Sequence, residues 1–260
     1  MKASSILLSI ATLILSSLAT CICAQNLQGG KITYEQIVDY QLDDAYDEPI
    51  WKQYIEGLPR EGKSIHVLYF TASESFYEED LSKKEVMSEH LKTAVMKANY
   101  YKTPKPKVKQ TYLHFQEKKH IQQISFLTRN FLVESALETK AWKLNGRRKK
   151  VMAYVCMGAD LTIEDATITA WFSPELPFPT GPEAYNGLPG IILGLEKEDK
   201  VFLLATSIDL EVPTEDLTAK LNKGQTVRKE KFEQIVLEKT AEYKKNREIE
   251  KKNNAKMKKN

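Results

Sequence analysis

From Gln110 to Leu210 the chain alternates short apolar runs with turn residues, and this succession leaves few folds open. Strand-like segments fall at about 111–117, 120–127, 130–137, 140–144, 148–157, 166–172 and 200–210. Consecutive strands joined by short turns pair antiparallel, because a parallel pair needs a long crossover. Upstream, residues 31–43 place Ile32, Tyr34, Val38, Tyr40 and Leu42 on one parity and Lys31, Thr33, Glu35, Asp39 and Gln41 on the other. Period two over that length predicts a long, half-buried strand. The denser run Ile65-His66-Val67-Leu68-Tyr69-Phe70 predicts a strand covered on both faces. Asn145-Gly146 between apolar segments carries the positive φ values of a type I′ turn, so a hairpin is expected at 144–147.

Two segments change period. Over 82–98, Val86, Leu91, Ala94, Val95 and Ala98 stand near helical spacing. Pro104 and Pro106 prevent that helix from continuing. From Thr226 to about Lys252 the composition is helical and very polar, with Phe232, Ile235, Val236 and Tyr243 as a thin apolar seam. The expected architecture is an α+β fold: a curved, half-barrel-like antiparallel sheet of roughly eight strands. The 82–98 helix is expected on its concave side, with a basic helix at the C-terminus. Half-barrel carriers of the bacterial envelope, which hold apolar ligands between sheet and helix, are similar in architecture, though fold alone does not assign function.

The first residues have the three parts of an export signal. Lys2 is the positive start, Ile6 to Leu18 is an apolar core too short for a membrane anchor, and Ala24 offers a small residue at a cleavage point. Leu18-Ala19-Thr20-Cys21 also resembles a degenerate lipobox, and lipidation at Cys21 would anchor the chain instead of releasing it. The expected organisation is a signal peptide at 1–24, a sheet domain at 25–218 and a basic helical tail at 219–260. The protein is expected in the periplasm, on the outer membrane or at the cell surface. Cleavage after Ala24 would leave Cys156 as the single cysteine, so no internal disulfide could form. Residues 219–260 hold 14 Lys/Arg and 6 Glu; against a total charge of +3, residues 1–218 therefore stand near −5. An acidic body with a basic tail admits an anionic membrane surface or an acidic partner, and this compartment argues against nucleic acid.

The most unusual stretch is Ala170 to Leu193, AWFSPELPFPTGPEAYNGLPGIIL. Pro189-Gly190 suits the centre of a type II turn, and Gly187 permits close approach or positive φ. Pro177, Pro179 and Pro182 stiffen a loop too long for a hairpin connection. The motif Gly187-Leu188-Pro189-Gly190-Ile191-Ile192, together with Ala170-Trp171-Phe172 and the Gly181-Pro182 step, resembles the GLPGLI family of exported Bacteroidota proteins, mostly of unknown function. The strand Ala153-Tyr154-Val155-Cys156-Met157-Gly158-Ala159 and the start Gly30-Lys31-Ile32-Thr33-Tyr34-Glu35 are similar to that family too. Ala153 and Gly158 stand where the family pattern has Gly and Lys, so no role of that Lys carries over. The resemblance implies export and architecture and brings no reaction with it.

A stiff loop on a rigid scaffold is a common way to display a binding surface, although turns alone explain most of its Gly and Pro residues. The candidate binding residues are Trp171, Phe172, Phe178, Gly181, Pro182, Tyr185, Gly187, Leu188, Pro189 and Gly190. Cys156 is a candidate free thiol, but its strand neighbours Met152 and Tyr154 favour packing. His66, His90, His114 and His120 lack metal-ligand spacing and read as surface or satisfied core residues. The acidic run Asp43 to Glu48 lacks the Gly and distal Glu of a calcium loop, and Glu78-Glu79-Asp80 reads as the lead into a helix. No nucleophile elbow, P-loop or dinucleotide fingerprint is present. The expectation is a non-catalytic envelope protein without cofactor, binding an apolar small molecule or a partner peptide with the 171–193 loop as rim. The alternatives are an accessory protein docking to an outer-membrane assembly and a Cys-dependent enzyme.

Overall fold

A computed structural model describes residues 27–257 except 44, 101, 164–165, 198–199 and 214. The expected leader, with Cys21, lies outside the described residues. Strands form where apolar residues recur at every second position. In β1 (Gly29–Asp39) Ile32 and Tyr34 are fully buried, while Lys31, Thr33 and Glu35 between them are partly exposed. Then come β2 (Glu61–Thr71), β3 (Glu74–Glu79), β4 (Lys107–His114), β5 (Lys119–Phe126) and β6 (Arg129–Ala136), with the alternation plainest in β6 and continuous buried runs in β3 and β4. Beyond them lie β7 (Lys143–Val151), mostly exposed, β8 (Tyr154–Ile163), β9 (Ala166–Ser173) and β10 (Ile191–Lys197), the last two buried on both faces over most of their length, then β11 (Lys200–Asp209) and β12 (Gln225–Arg228).

These strands make one open sheet in the order β12-β6-β5-β4-β3-β2-β1-β11-β10-β9-β8-β7. Two meanders, β2 to β6 and β7 to β11, are joined by β1, which pairs with β2 on one side and β11 on the other. Every pairing is antiparallel except β12 with β6. The mostly antiparallel sheet with a few helices, one of them C-terminal, is the architecture expected from the sequence.

Several details differ. β3, β10 and β12 add to the expected strands. Glu78 and Glu79 end β3, where Glu79 pairs with His66, and Asp80 then caps the short 3-10 helix Leu81–Lys83, its carboxylate accepting from Ser82 N at 3.1 Å, so the acidic run leads into one 3-10 turn and not into a longer helix. Asn145-Gly146 is not a hairpin turn. It lies within edge strand β7, where the register to β8 slips between Leu144 and Arg148, and Gly146 takes φ 74° in that bulge. The turn falls instead at Met152-Ala153, with Met152 at φ 53°.

The helices are α1 (Pro49–Tyr54), α2 (Glu89–Asn99) and α3 (Lys229–Met257). Ser88 caps α2, its hydroxyl accepting from Leu91 N at 3.1 Å, so this helix begins later than its apolar period suggested. Leu91, Ala94 and Ala98 are buried on one face as expected, but against Leu42, Trp51 and Ile55 rather than against the sheet. Trp51 Nε1 fixes this satellite core by donating to Leu42 O at 2.9 Å. The place beside the sheet expected for that helix is taken by the segment between β9 and β10. Leu176, Phe178 and Leu188 of that segment pack with Ile32, Tyr34, Leu68, Phe70 and Ile192 in the largest core. The basic tail is also partly structural: Phe232, Ile235 and Val236 of α3 cover Ile124, Phe126, Phe131 and Val133. Among the described residues no helix is long and apolar enough to cross a membrane.

Candidate functional site

The segment from Pro174 to Gly190 is built as a roof. Exposed and buried residues alternate along its first half, with Pro177 and Pro179 outward and Leu176, Phe178 and Thr180 inward. Phe178 meets Phe70 edge to face at 4.8 Å between ring centres. Thr180 Oγ1 donates to Ser75 Oγ at 2.9 Å, Gly187 N to Pro179 O at 3.1 Å and Ile191 N to Leu176 O at 2.9 Å. Tyr34, fully buried in β1, donates its hydroxyl to Ile192 O at 2.7 Å. Gly187 stands at φ 93°, a conformation that disfavours any side chain. Gly190 is not in the positive-φ region, so Pro189-Gly190 does not form the type II turn expected. Its glycine is required by contact instead: a Cβ would stand 2.1 Å from Ser173 O.

Between this roof and the sheet runs a trough of two adjoining hollows, about 410 and 350 Å³, which share Gln122, Lys140 and Ala184. Strand register supplies the floor. His66 stands opposite Glu79, and Tyr77, Thr111 and Gln122 stand opposite one another on β3, β4 and β5, one row along. Glu183 and Tyr185 descend from the roof over the first hollow. His120, Ser135 and Lys140 border the second, which α3 closes with Lys229 and Phe232.

Polar atoms on this floor are buried without hydrogen-bond partners. They are His66 Nδ1, Tyr77 OH, Thr111 Oγ1 and His120 Nε2; a fifth such atom, Trp171 Nε1, lies elsewhere. Buried polar groups are normally paired, so four orphans along one trough call for an explanation. Each histidine is held by its other nitrogen, His66 Nε2 at 2.9 Å from Ser64 Oγ and His120 Nδ1 at 3.3 Å from Ser135 Oγ. The His66 ring stacks on Tyr77 at 5.2 Å.

The electrostatics differ along the trough. Burial pushes the Glu183 carboxyl above the usual carboxylate range. Glu183 is also a non-glycine residue at φ 56°, the kind of backbone cost that persists where the surroundings impose it. Burial raises the Tyr77 hydroxyl well above its ordinary value, and Glu183, Tyr34 and Glu79 add to the effect. Burial, then Glu183, pushes Tyr185 up to about 12. Burial lowers His66, with Glu79 opposing. At the other end burial, then Lys140 and Lys229, lowers His120 to about 4, with Glu138 opposing. Each hollow is lined by two carboxylates and two lysines, Lys140 being common to both, and the first also has the aromatic rings of Tyr77 and Tyr185. Among the described residues no three His, Cys, Asp or Glu side chains gather to hold a metal ion.

Of the residues expected to bind, Tyr185 alone lines the trough. Phe172, Phe178, Gly181, Pro182, Leu188 and Gly190 are buried, Gly187 rests on Thr139 and Pro189 faces solvent. Trp171 lies on the face of β9 opposite Phe172, with Lys149 Nζ 4.3 Å and Arg147 Cζ 5.4 Å over its ring. Cys156 is fully buried and burial pushes its thiol up to about 11, so it offers no accessible nucleophile. His66 and His120 were missed because neither has metal-ligand spacing. Parity was the available signal: His66 shares the inward parity of Leu68 and Phe70, and His120 that of Gln122 and Ile124.

Residues 159–194, which span the second half of β8, all of β9, the roof and the first four residues of β10, match a family described as "Protein of unknown function (Porph_ging)". Two solved structures of PNGF-II, from two crystal forms, are similar to this chain with TM-scores of 0.51 and 0.52. Both are 13% identical to it, and the likeness covers 81% of this chain and 33% of theirs. The chain thus spans about a third of the length of that protein, and at this identity the likeness is one of fold. No curated protein matches the chain.

Proposed function

We propose that this is an exported, non-catalytic binding protein of GLPGLI type, whose ligand lies in the trough between the sheet and the 174–190 roof. The observation that carries the reading is the row of buried, unpartnered polar atoms on the floor. Leaving a buried donor or acceptor unpaired costs roughly 1–3 kcal/mol, a cost that a ligand able to pair with it removes. The floor favours a ligand with polar groups over the purely apolar one suggested by architecture alone. An open trough under a stiff roof also favours binding over a sealed docking scaffold, and the burial of Cys156 counts against a thiol enzyme. Native mass spectrometry of the protein from its own host's envelope tests the reading. A discrete mass released on denaturation is the expected result; repeated recovery of the bare chain would overturn it.

A further inference from the structure

The charges around the trough balance within each hollow. Glu79 and Glu183 face Lys109 and Lys140 in the lining of the first, and Glu138 and Glu233 share the second with Lys140 and Lys229. His66 and His120, both shifted below the ordinary histidine value by burial, add no charge near pH 7. Such a lining selects no net charge in its ligand. Its remaining polar groups are mostly hydroxyls and amides: Gln36, Tyr77 and Thr111 in the first hollow, Ser135 in the second and Gln122 in both. Tyr77 and Thr111 are only 6% and 1% exposed, and the hydroxyl of each lacks a partner. Hydroxyls and amides both donate and accept, so they pair best with a ligand whose own groups do the same.

Other neutral ligands fit this floor less well. β2 to β5 each have a neighbouring strand on both sides, so the floor presents side chains and no free strand edge to the repeating amides of a peptide. Trp142 meets Tyr185 at 52°, so these two rings form no parallel slot for a flat heterocycle. Single rings, Tyr185 at the first hollow and Phe232 at the second, are left for the C–H face of a saturated ring. Resting on the binding reading above, we infer that the ligand is a neutral oligosaccharide, with a sugar ring in each hollow and its hydroxyls paired with Tyr77, Thr111 and the Gln122 amide at the junction. Size agrees with this. The hollows, about 410 and 350 Å³, are each as large as a small-ligand site. From β2, which carries His66, to β5, which carries His120, is three strand spacings, about 14 Å, longer than one sugar ring.

The ligand released by denaturing protein from its own host's envelope is the probe. Part of it is passed over anion and cation exchangers at pH 7, and part is hydrolysed in acid for monosaccharide analysis. The expected ligand is retained by neither exchanger and yields neutral monosaccharides, more than one per molecule. A released ligand without sugar, or one held by either exchanger, would overturn the oligosaccharide and leave the binding reading standing. A native protein that is always bare removes both. Calorimetry with the released oligosaccharide then locates it: folded Gln122→Leu, which keeps the bulk and loses the amide, should bind it about tenfold more weakly or worse. Equal affinity in that variant would overturn the assigned pairing.

Discussion

His120 shows how burial and two lysines convert an ordinary side chain into an acid-sensitive element. Its folded value, about 4, lies below the ordinary 6.5, so the folded state refuses a proton that the unfolded chain accepts. That stabilising difference is complete above about pH 6.5 and is lost as pH falls through the interval down to about 4; His66 is shifted in the same direction. Urea unfolding at pH 7 and pH 5 should therefore differ by about 1–2 kcal/mol, and His120→Gln should remove a large part of the difference. Tyr34 works at the same scale by tying β1 to β10. Removing its hydroxyl leaves the Ile192 carbonyl without that bond, and Tyr34→Phe should cost about 1–2 kcal/mol in denaturant unfolding. Cys156, being buried, should react with a thiol reagent only at the rate at which the protein opens.

At the scale of elements the roof and the C-terminal helix carry the energetics. Gly190→Ala would force a methyl group to within 2.1 Å of the Ser173 carbonyl, so backbone must shift; the expected cost is about 3 kcal/mol, against well under 1 kcal/mol for exposed Pro189→Ala. Phe232→Ala should cost about 3–4 kcal/mol, because that ring packs at 5.2 Å on Phe131 and holds α3 over the sheet. Both costs are read from denaturant midpoints at constant slope. Strand alternation made most of the sheet legible in the sequence, since period two reports burial of one face directly. The α2 period was legible as well, with Leu91, Ala94 and Ala98 inward, but periodicity names a buried face and not its partner. Trp51, far from the helix in sequence, became that partner. Asn145-Gly146 misled because a bulge and a type I′ turn ask for the same positive φ. β3 hid behind its acidic end, and the polar trough floor was invisible because His66, Thr111, Gln122 and His120 come from three strands brought together by register.

For the whole molecule, the sheet and roof enclose a space that the chain's own polar groups leave unpaired. The roof falls within the segment that matches the family of unknown function, so the part of the chain most particular to that family also borders the trough. The likeness to PNGF-II covers 81% of this chain and about a third of that larger protein, a likeness of fold alone. Ala184 lines both hollows at their junction and makes no hydrogen bond through its side chain, so Ala184→Trp should fill the waist while sparing the core. The most direct measurement is native mass spectrometry of wild-type and Ala184→Trp protein isolated in parallel from the same envelope, after circular dichroism has established that both are folded. The trough account predicts a released ligand from the wild type and its loss from the variant. The same ligand carried at equal occupancy by folded Ala184→Trp would place binding elsewhere and contradict the account.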